Sequence, residues 1–203
     1  YITELDFYFY EEVLKTLEKW DKQHRRKIVI STKFSGRHFE SDGEEFLNRI
    51  QHVLSKYSVR PEYIEIEVTE GVLVKNVAVL EKCMNRLHEF GFRVAIDDFG
   101  TGYSNLHCLS DLKPNYIKID RTFTLKALKN KYDYKLMTYI IDMAHSLGLK
   151  LCIEGVETSD DLRQLRGPGA DYIQGYLFGK PYPAVEFEKR YVNDEKLNNE
   201  SQN

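Results

Sequence analysis

Apolar residues along the chain recur at two different spacings. From Thr3 to Trp20, the residues Leu5, Phe9, Val13, Leu14 and Leu17 follow a helical period, with Glu11, Glu12, Lys15, Glu18 and Lys19 between them, which predicts an amphipathic helix. Ile28, Val29 and Ile30 then form a short strand pattern running into Ser31-Thr32-Lys33-Phe34-Ser35. Helical spacing returns from Glu44 to Tyr57 through Phe46, Ile50, Val53 and Leu54, and Pro61 closes the connection. Between Tyr63 and Glu70 the period changes to two: Ile64, Ile66 and Val68 share one face, and Glu65 and Glu67 share the other. A helix over 75–90 ending at Gly91 leads to a strand from Phe92 to Asp97. Beyond it the pattern predicts a short helix from Asn105 to Leu112, a strand from Tyr116 to Asp120 and a helix from Tyr134 to Leu147. A strand from Leu149 to Ile153, a short helix from Asp160 to Leu165 and a last strand from Ala170 to Tyr176 follow.

About six strands separated by helices imply a parallel sheet with right-handed crossovers, hence an α/β fold. An eight-stranded barrel needs two more strands, and a chain that opens on a helix is expected to have them upstream of Tyr1. Residues 1–192 read as one domain, and 193–203, polar and without apolar periodicity, read as a tail or linker.

Composition narrows the function classes. The 203 residues carry 29 Lys and Arg against 32 Asp and Glu, a formal charge of -3, so no general attraction to a nucleic-acid polymer or an anionic membrane is indicated. Cys83, Cys108 and Cys152 are isolated and lack zinc-site spacing, as expected of a reducing compartment. No apolar run reaches the roughly 18 residues of a membrane span and no signal-peptide pattern opens the chain. A cytoplasmic domain, or the cytosolic part of a larger membrane protein, is the expectation. The run His24-Arg25-Arg26-Lys27 reads as a solvated helix end, and His38, His88, His107 and His145 as satisfied polar residues without ligand spacing. Tyr8, Phe9 and Tyr10 read as helix packing, with a partner surface as the other reading.

Candidate chemistry gathers at the strand ends. Arg93 to Ser104 runs from the apolar Val94-Ala95-Ile96 into the adjacent Asp97 and Asp98, then into a turn with Gly100 and Gly102. Lys33, Glu67 with Glu70, Lys118 with Asp120, Glu154 with Glu157, and Gln174 end the other strands. Parallel strands would bring these residues to one face, where converging carboxylates repel unless cations intervene. Hard oxygen donors in this number suit Mg²⁺ or Mn²⁺, and a pair of such ions can activate water and stabilise an in-line phosphoryl displacement. Asp97 and Asp98 are the natural bridging pair. The plainer alternatives are surface ion pairing for Glu67 and Glu154, a Lys118–Asp120 pair, and backbone capping by Gln174. Asp98-Phe99-Gly100 also matches the metal triplet of protein kinases, but no His-Arg-Asp loop accompanies it.

Taken in order, Glu67-Val-Thr-Glu70, Asp97-Asp-Phe-Gly-Thr-Gly-Tyr-Ser104, Lys118-Ile-Asp120, Glu154-Gly-Val-Glu157 and Gln174-Gly-Tyr176 resemble the EAL domain family, cyclic di-GMP phosphodiesterases of bacterial signalling. The resemblance extends from about Ile2 to Phe187 and implies a modified (β/α)8 TIM-like barrel. It implies that Glu67, Asp97, Asp98 and Glu154 bind Mg²⁺ or Mn²⁺, that Lys118 sits beside the attacking water and scissile phosphate, and that Gln174 helps orient the water. Glu154 and these two make the catalytic set. Glu70 would steady the glycine-rich loop, and Glu157 would be a supporting acid near the site. The implied reaction is hydrolysis of cyclic di-GMP to pGpG, and a homodimer or an attached cyclase-like or sensor domain would be in keeping with the family. Two departures stand out. The Glu-Ala-Leu motif occurs nowhere in the sequence, and Lys33-Phe34-Ser35 replaces an Asn-x-Ser pattern whose Asn supplies a metal-ligand oxygen. Lysine has only donors and a positive charge. Lys33 therefore either reaches the acidic cluster, pairing with Glu67 or Asp97 in place of metal charge, or swings to solvent. The reading that competes with the enzyme is an inactive domain that binds cyclic di-GMP or a protein.

Overall fold

A six-stranded parallel sheet runs in the order β1 (Ile30–Phe34), β2 (Ile64–Thr69), β3 (Arg93–Phe99), β4 (Tyr116–Ile119), β5 (Lys150–Ile153) and β6 (Tyr172–Ile173). The computed structural model describes residues 1–72, 77–101 and 106–193, apart from the side chains of 106–108. Gly102, Tyr103, Ser104 and Asn105, the side chains of His107 and Cys108, the expected start of the third helix at 75 and 76, and the tail from 194 lie outside it.

Strand order equal to chain order, with no reversal, is the singly wound arrangement of a (β/α) barrel rather than the doubly wound one. Between the strands lie α1 (Ile2–Lys22), α2 (Glu44–Leu54), α3 (Val77–Glu89), α4 (Leu106–Leu112), α5 (Arg121–Lys129), α6 (Lys131–Ser146) and α7 (Ser159–Leu165), and α8 (Ala184–Phe187) follows β6. Period two divides each strand between two environments. Phe34, Ile64, Ile66, Val68, Val94 and Ile96 are fully or almost fully buried in the main core. The alternate residues Glu65, Glu67, Asp97 and Lys118 are also buried, on the opposite face. The alternation expected for β2 is present, with both faces covered.

Several boundaries differ from the sequence reading, each for a local reason. β1 starts at Ile30, not Ile28, because its partner β2 begins only at Ile64, after the turn Pro61–Tyr63. α1 buries Phe7, Tyr10, Leu14, Leu17 and Trp20, so its inner face is rotated from the one expected. Tyr10 packs as expected, whereas Leu5, Tyr8 and Phe9 are exposed. α5 follows where the sequence pattern predicts only the strand end at Asp120: β4 stops at Ile119, and Asp120 is the helix N-cap, its carboxylate accepting from the Thr122 N–H at 2.7 Å. Asn130, extended at φ -137°, separates α5 from α6 and caps α6 through the Tyr132 N–H. β6 is two residues long rather than seven, since the chain turns at Gly175, which lies tight against the Val156 backbone. Residues 184–192 are helical, a feature the sequence reading omitted.

Candidate active site

The site forms where β1 to β5 end. In-register pairing sets Lys33 beside Glu67, and Asp97 stands beside Thr69, two residues further along β2. The β3–β4 register shifts between Ile96 and Phe99, and Asp98 takes a left-handed φ of 57°. Such a bulge re-aims side chains, and aspartate tolerates this backbone region better than most residues. The outcome is that adjacent carboxylates face the same partner. Lys33 Nζ lies 2.9 Å from Asp97 Oδ2 and 2.9 Å from Asp98 Oδ2.

A second ammonium holds the other half of the cluster. Lys118 Nζ lies 2.7 Å from Glu67 Oε1, 2.7 Å from Glu154 Oε1 and 3.7 Å from Asp97 Oδ1. Lys118 is thus not the partner of Asp120. Lys33 reaches the cluster through Asp97, one of the two partners the sequence suggests, and through Asp98 as well, whereas Glu67, the other, pairs with Lys118. Asp97 lies between two lysines, and its Oδ1 is buried without a hydrogen-bond partner.

Burial and charge oppose each other here. Burial works to raise the Asp97 carboxyl, but Lys118 and Lys33 outweigh it and hold the group below its ordinary range. Burial lowers and the neighbouring carboxylates raise Lys118, with a net rise well above the lysine range, and Lys33 is raised by the same balance. At Glu154 burial prevails over Lys118 and the carboxyl is pushed up.

Glu70, at the end of β2, is fully buried and reaches the turn after β3. Its Oε2 accepts from the Gly100 N–H at 3.2 Å, and from the Thr101 N–H and Oγ1 each at 3.1 Å. Glu157 stands off the carboxylate cluster, 2.6 Å from Arg121 of α5. Arg121 also covers Gly155, whose φ of 80° and close approach leave no room for a Cβ. Gln174 lines a cavity of about 670 Å³ together with Lys118, Cys152, Glu65, Arg93 and Tyr116. Among the described residues no hydrogen bond joins the Gln174 side chain to the carboxylates.

Two supports escaped the sequence reading. Asp6 of α1 accepts from the Ser35 N–H at 2.9 Å and meets His38 Nε2 at 3.0 Å, tying the segment after Lys33 to the first helix. No local motif marks that tie. One layer below the cluster, Ser31 Oγ donates to Glu65 Oε1 at 2.8 Å. That layer was readable, since Glu65 shares a strand face with Glu67. Of the other histidines expected to be satisfied, His145 meets Asp171 and His88 meets Asn115.

The ordered carboxylates, the buried lysine and the glycine turn held by Glu70 coincide with one family. The EAL domain family model matches residues 1–181. This chain belongs to the EAL domain family. Signaling protein YkoW of Bacillus subtilis is 33% identical over 189 residues, 93% of this chain and 23% of its own length. Cyclic di-GMP phosphodiesterase NbdA of Pseudomonas aeruginosa is 37% identical over 143 residues, 70% of this chain and 18% of its own. The chain thus spans less than a quarter of either relative. The solved EAL enzyme Bd1971, in its cAMP- and cyclic-di-GMP-bound form, superposes with a TM-score of 0.84 at 28% identity, over 93% of this chain and 51% of that one. The likeness carries the TIM-like barrel fold to this EAL domain. No helix among its described residues is long and apolar enough to cross a membrane.

Proposed function

We propose that this EAL domain binds cyclic di-GMP and hydrolyses one of its phosphodiester bonds, releasing pGpG. The observation that carries the reading is the convergence of Glu67, Asp97, Asp98 and Glu154 on two lysines at the ends of parallel strands, where α/β barrels conduct chemistry. The name of NbdA and the bound form of Bd1971 support the choice of ligand and reaction.

The donor types suit a divalent cation, but with Lys33 and Lys118 in place no group of three such side chains among the described residues is arranged to hold one. Asp97 Oδ1 is a buried acceptor without a hydrogen bond, and the four carboxylates supply the hard oxygens that Mg²⁺ and Mn²⁺ prefer. With the ammonium groups displaced, Glu67, Asp97, Asp98 and Glu154 would hold the ion, which when bound would lower the pKa of water and polarise the phosphoryl oxygens. The chain's own residues do the rest. Lys118 offsets the carboxylate charge and also lines the cavity, where it can meet an anionic phosphate. Gln174, on the same cavity wall, can donate to or accept from water. Glu70 holds the Gly100–Thr101 backbone and so the position of Asp98. Glu157 fixes Arg121 against the turn that carries Glu154.

A second reading rests on Lys33. An ammonium touching both aspartates competes with any cation there, and favours a domain that binds cyclic di-GMP with hydrolysis lost. On either reading the domain works in the bacterial cytoplasm, as a homodimer or beside a cyclase-like or sensor domain. The small share of YkoW and NbdA that the chain spans supports the larger assembly.

The test is pGpG release by the full-length protein and by Lys33→Asn, with Mg²⁺ and with Mn²⁺, alongside cyclic di-GMP binding. Robust release by both proteins establishes the phosphodiesterase. Binding with release only in the variant establishes the binding module, and absence of cyclic di-GMP binding overturns both.

A further inference from the structure

We propose that a cavity at the N-terminal ends of β1 and β2, the opposite end of these strands from the carboxylates, binds a small organic phosphate monoester through Arg25 and Arg26. The cavity measures about 300 Å³, and the hydrolysis proposed above makes no use of it.

The run His24-Arg25-Arg26-Lys27 is exposed, as a solvated helix end should be, but the fold brings other groups to it. α1 ends at Lys22, and His24 takes a left-handed φ of 54° as the chain turns toward β1. Arg60, from the connection between α2 and β2, lines the same cavity. Tyr63 joins the two segments: the Arg60 guanidinium stands 4.9 Å and Lys27 Nζ 5.7 Å from its ring centre. Arg25, Arg26, Lys27 and Arg60 thus line one cavity against a single carboxylate, Asp21.

The carboxylates nearby are already engaged. Asp21 pairs with Lys27 at 3.3 Å, and Glu62 with Arg60 at 3.0 Å. Glu18 takes Lys22 and the Ser58 N–H, while Glu188 takes Lys19 and feels Arg25 only at longer range. Among the described residues Arg25 and Arg26 have no ion-pair partner. Two unpaired guanidinium groups match the charge of a phosphate monoester, about -1.5 to -2 at neutral pH, and the planar fork of arginine suits phosphate oxygens. Ile28, Val59 and Tyr63 are half-buried on the same wall and give the organic part of the ligand an apolar surface. The volume is at the small end of ligand sites, which run from about 300 to 1,000 Å³, and suits a molecule the size of an aryl phosphate rather than a peptide.

Phenyl phosphate and inorganic phosphate, titrated separately into the full-length protein by calorimetry, test the proposal. The expected result is one phenyl phosphate per chain, bound more tightly than inorganic phosphate. Its affinity is expected to fall at least about tenfold in Arg25→Ala and in Arg26→Ala, the loss of one charge-assisted hydrogen bond. Arg25→Gln, which keeps a polar side chain, guards against a folding defect and should lose affinity to the same extent. Arg25 lines this cavity and not the larger one that holds Lys118 and Gln174, so a loss in its variants locates the ligand here. No binding of phenyl phosphate to the wild type, equal affinity for the two probes, or binding unchanged in the Arg25 variants overturns the proposal.

Discussion

Lys118 reaches Glu67 across an intervening strand, with its Nζ 2.7 Å from Glu67 Oε1. Ala95 of β3 pairs with Glu67 on one side and Tyr116 on the other, and Lys118 stands two residues beyond Tyr116 on the same strand. The pair is buried, so removing one member leaves the other uncompensated, a loss of about 3–5 kcal/mol in comparable sites. Lys118→Met is expected to lower stability by that order in chemical denaturation and to abolish pGpG release. Unchanged stability would mean that the three carboxylates near Lys118 find other compensation.

Glu70 concentrates three hydrogen bonds on one carboxylate oxygen. Glu70→Ala removes the acceptor from the amides of half-buried Gly100 and exposed Thr101, and the loss of each hydrogen bond costs about 0.5–1.5 kcal/mol. The expected signature is local: faster hydrogen exchange at 100 and 101, with protection in β2 and β4 retained. Loss of protection throughout the sheet would show instead that Glu70 supports the global fold.

How much of this was legible in the sequence depended on the range of the interaction. Period two in β2 sets Glu65 and Glu67 on one shared face, opposite Ile64, Ile66 and Val68, and the strand ends mark Asp97, Asp98, Lys118 and Glu154. Contacts between distant segments were not legible. Nothing near Asp6 signals that it will accept from Ser35, and nothing near Lys33 says that it takes Asp98 and leaves Glu67 to Lys118. That division follows from strand register and from the bulge at Asp97 and Asp98, which are properties of the assembled sheet. α5 was hidden because Asp120, which the pattern assigns to the strand, is the N-cap of the helix.

Gly175 is the tightest backbone approach near the site. A Cβ there would lie 2.0 Å from Val156 O and 2.4 Å from Val156 N, and backbone atoms cannot swing aside as a side chain can. Gly175→Ala is expected to lower the denaturation midpoint by the equivalent of at least about 1–3 kcal/mol, the usual cost of forced overpacking. Because Gln174 is adjacent, cyclic di-GMP affinity should fall as well. A variant with wild-type stability would show that the loop after β6 shifts without penalty.

Glu65 gives a prediction that depends on pH. Burial raises its carboxyl above the ordinary value, and the hydrogen bond donated by Ser31 only partly opposes this. A carboxyl raised in the folded state favours folding while protonated. That advantage is lost as pH rises from the unfolded pKa, about 4.3, through the folded one, because the unfolded chain then ionises more readily than the native protein. Glu65→Gln is neutral at every pH and retains a carbonyl oxygen for Ser31. Its melting temperature should exceed that of the wild type at pH 7, and the difference should shrink toward zero by pH 4. A gain of equal size at both pH values would assign the effect to packing, and a loss at pH 7 would mean that the attraction of Lys118 and Arg93 for an ionised Glu65 outweighs the cost of burying it.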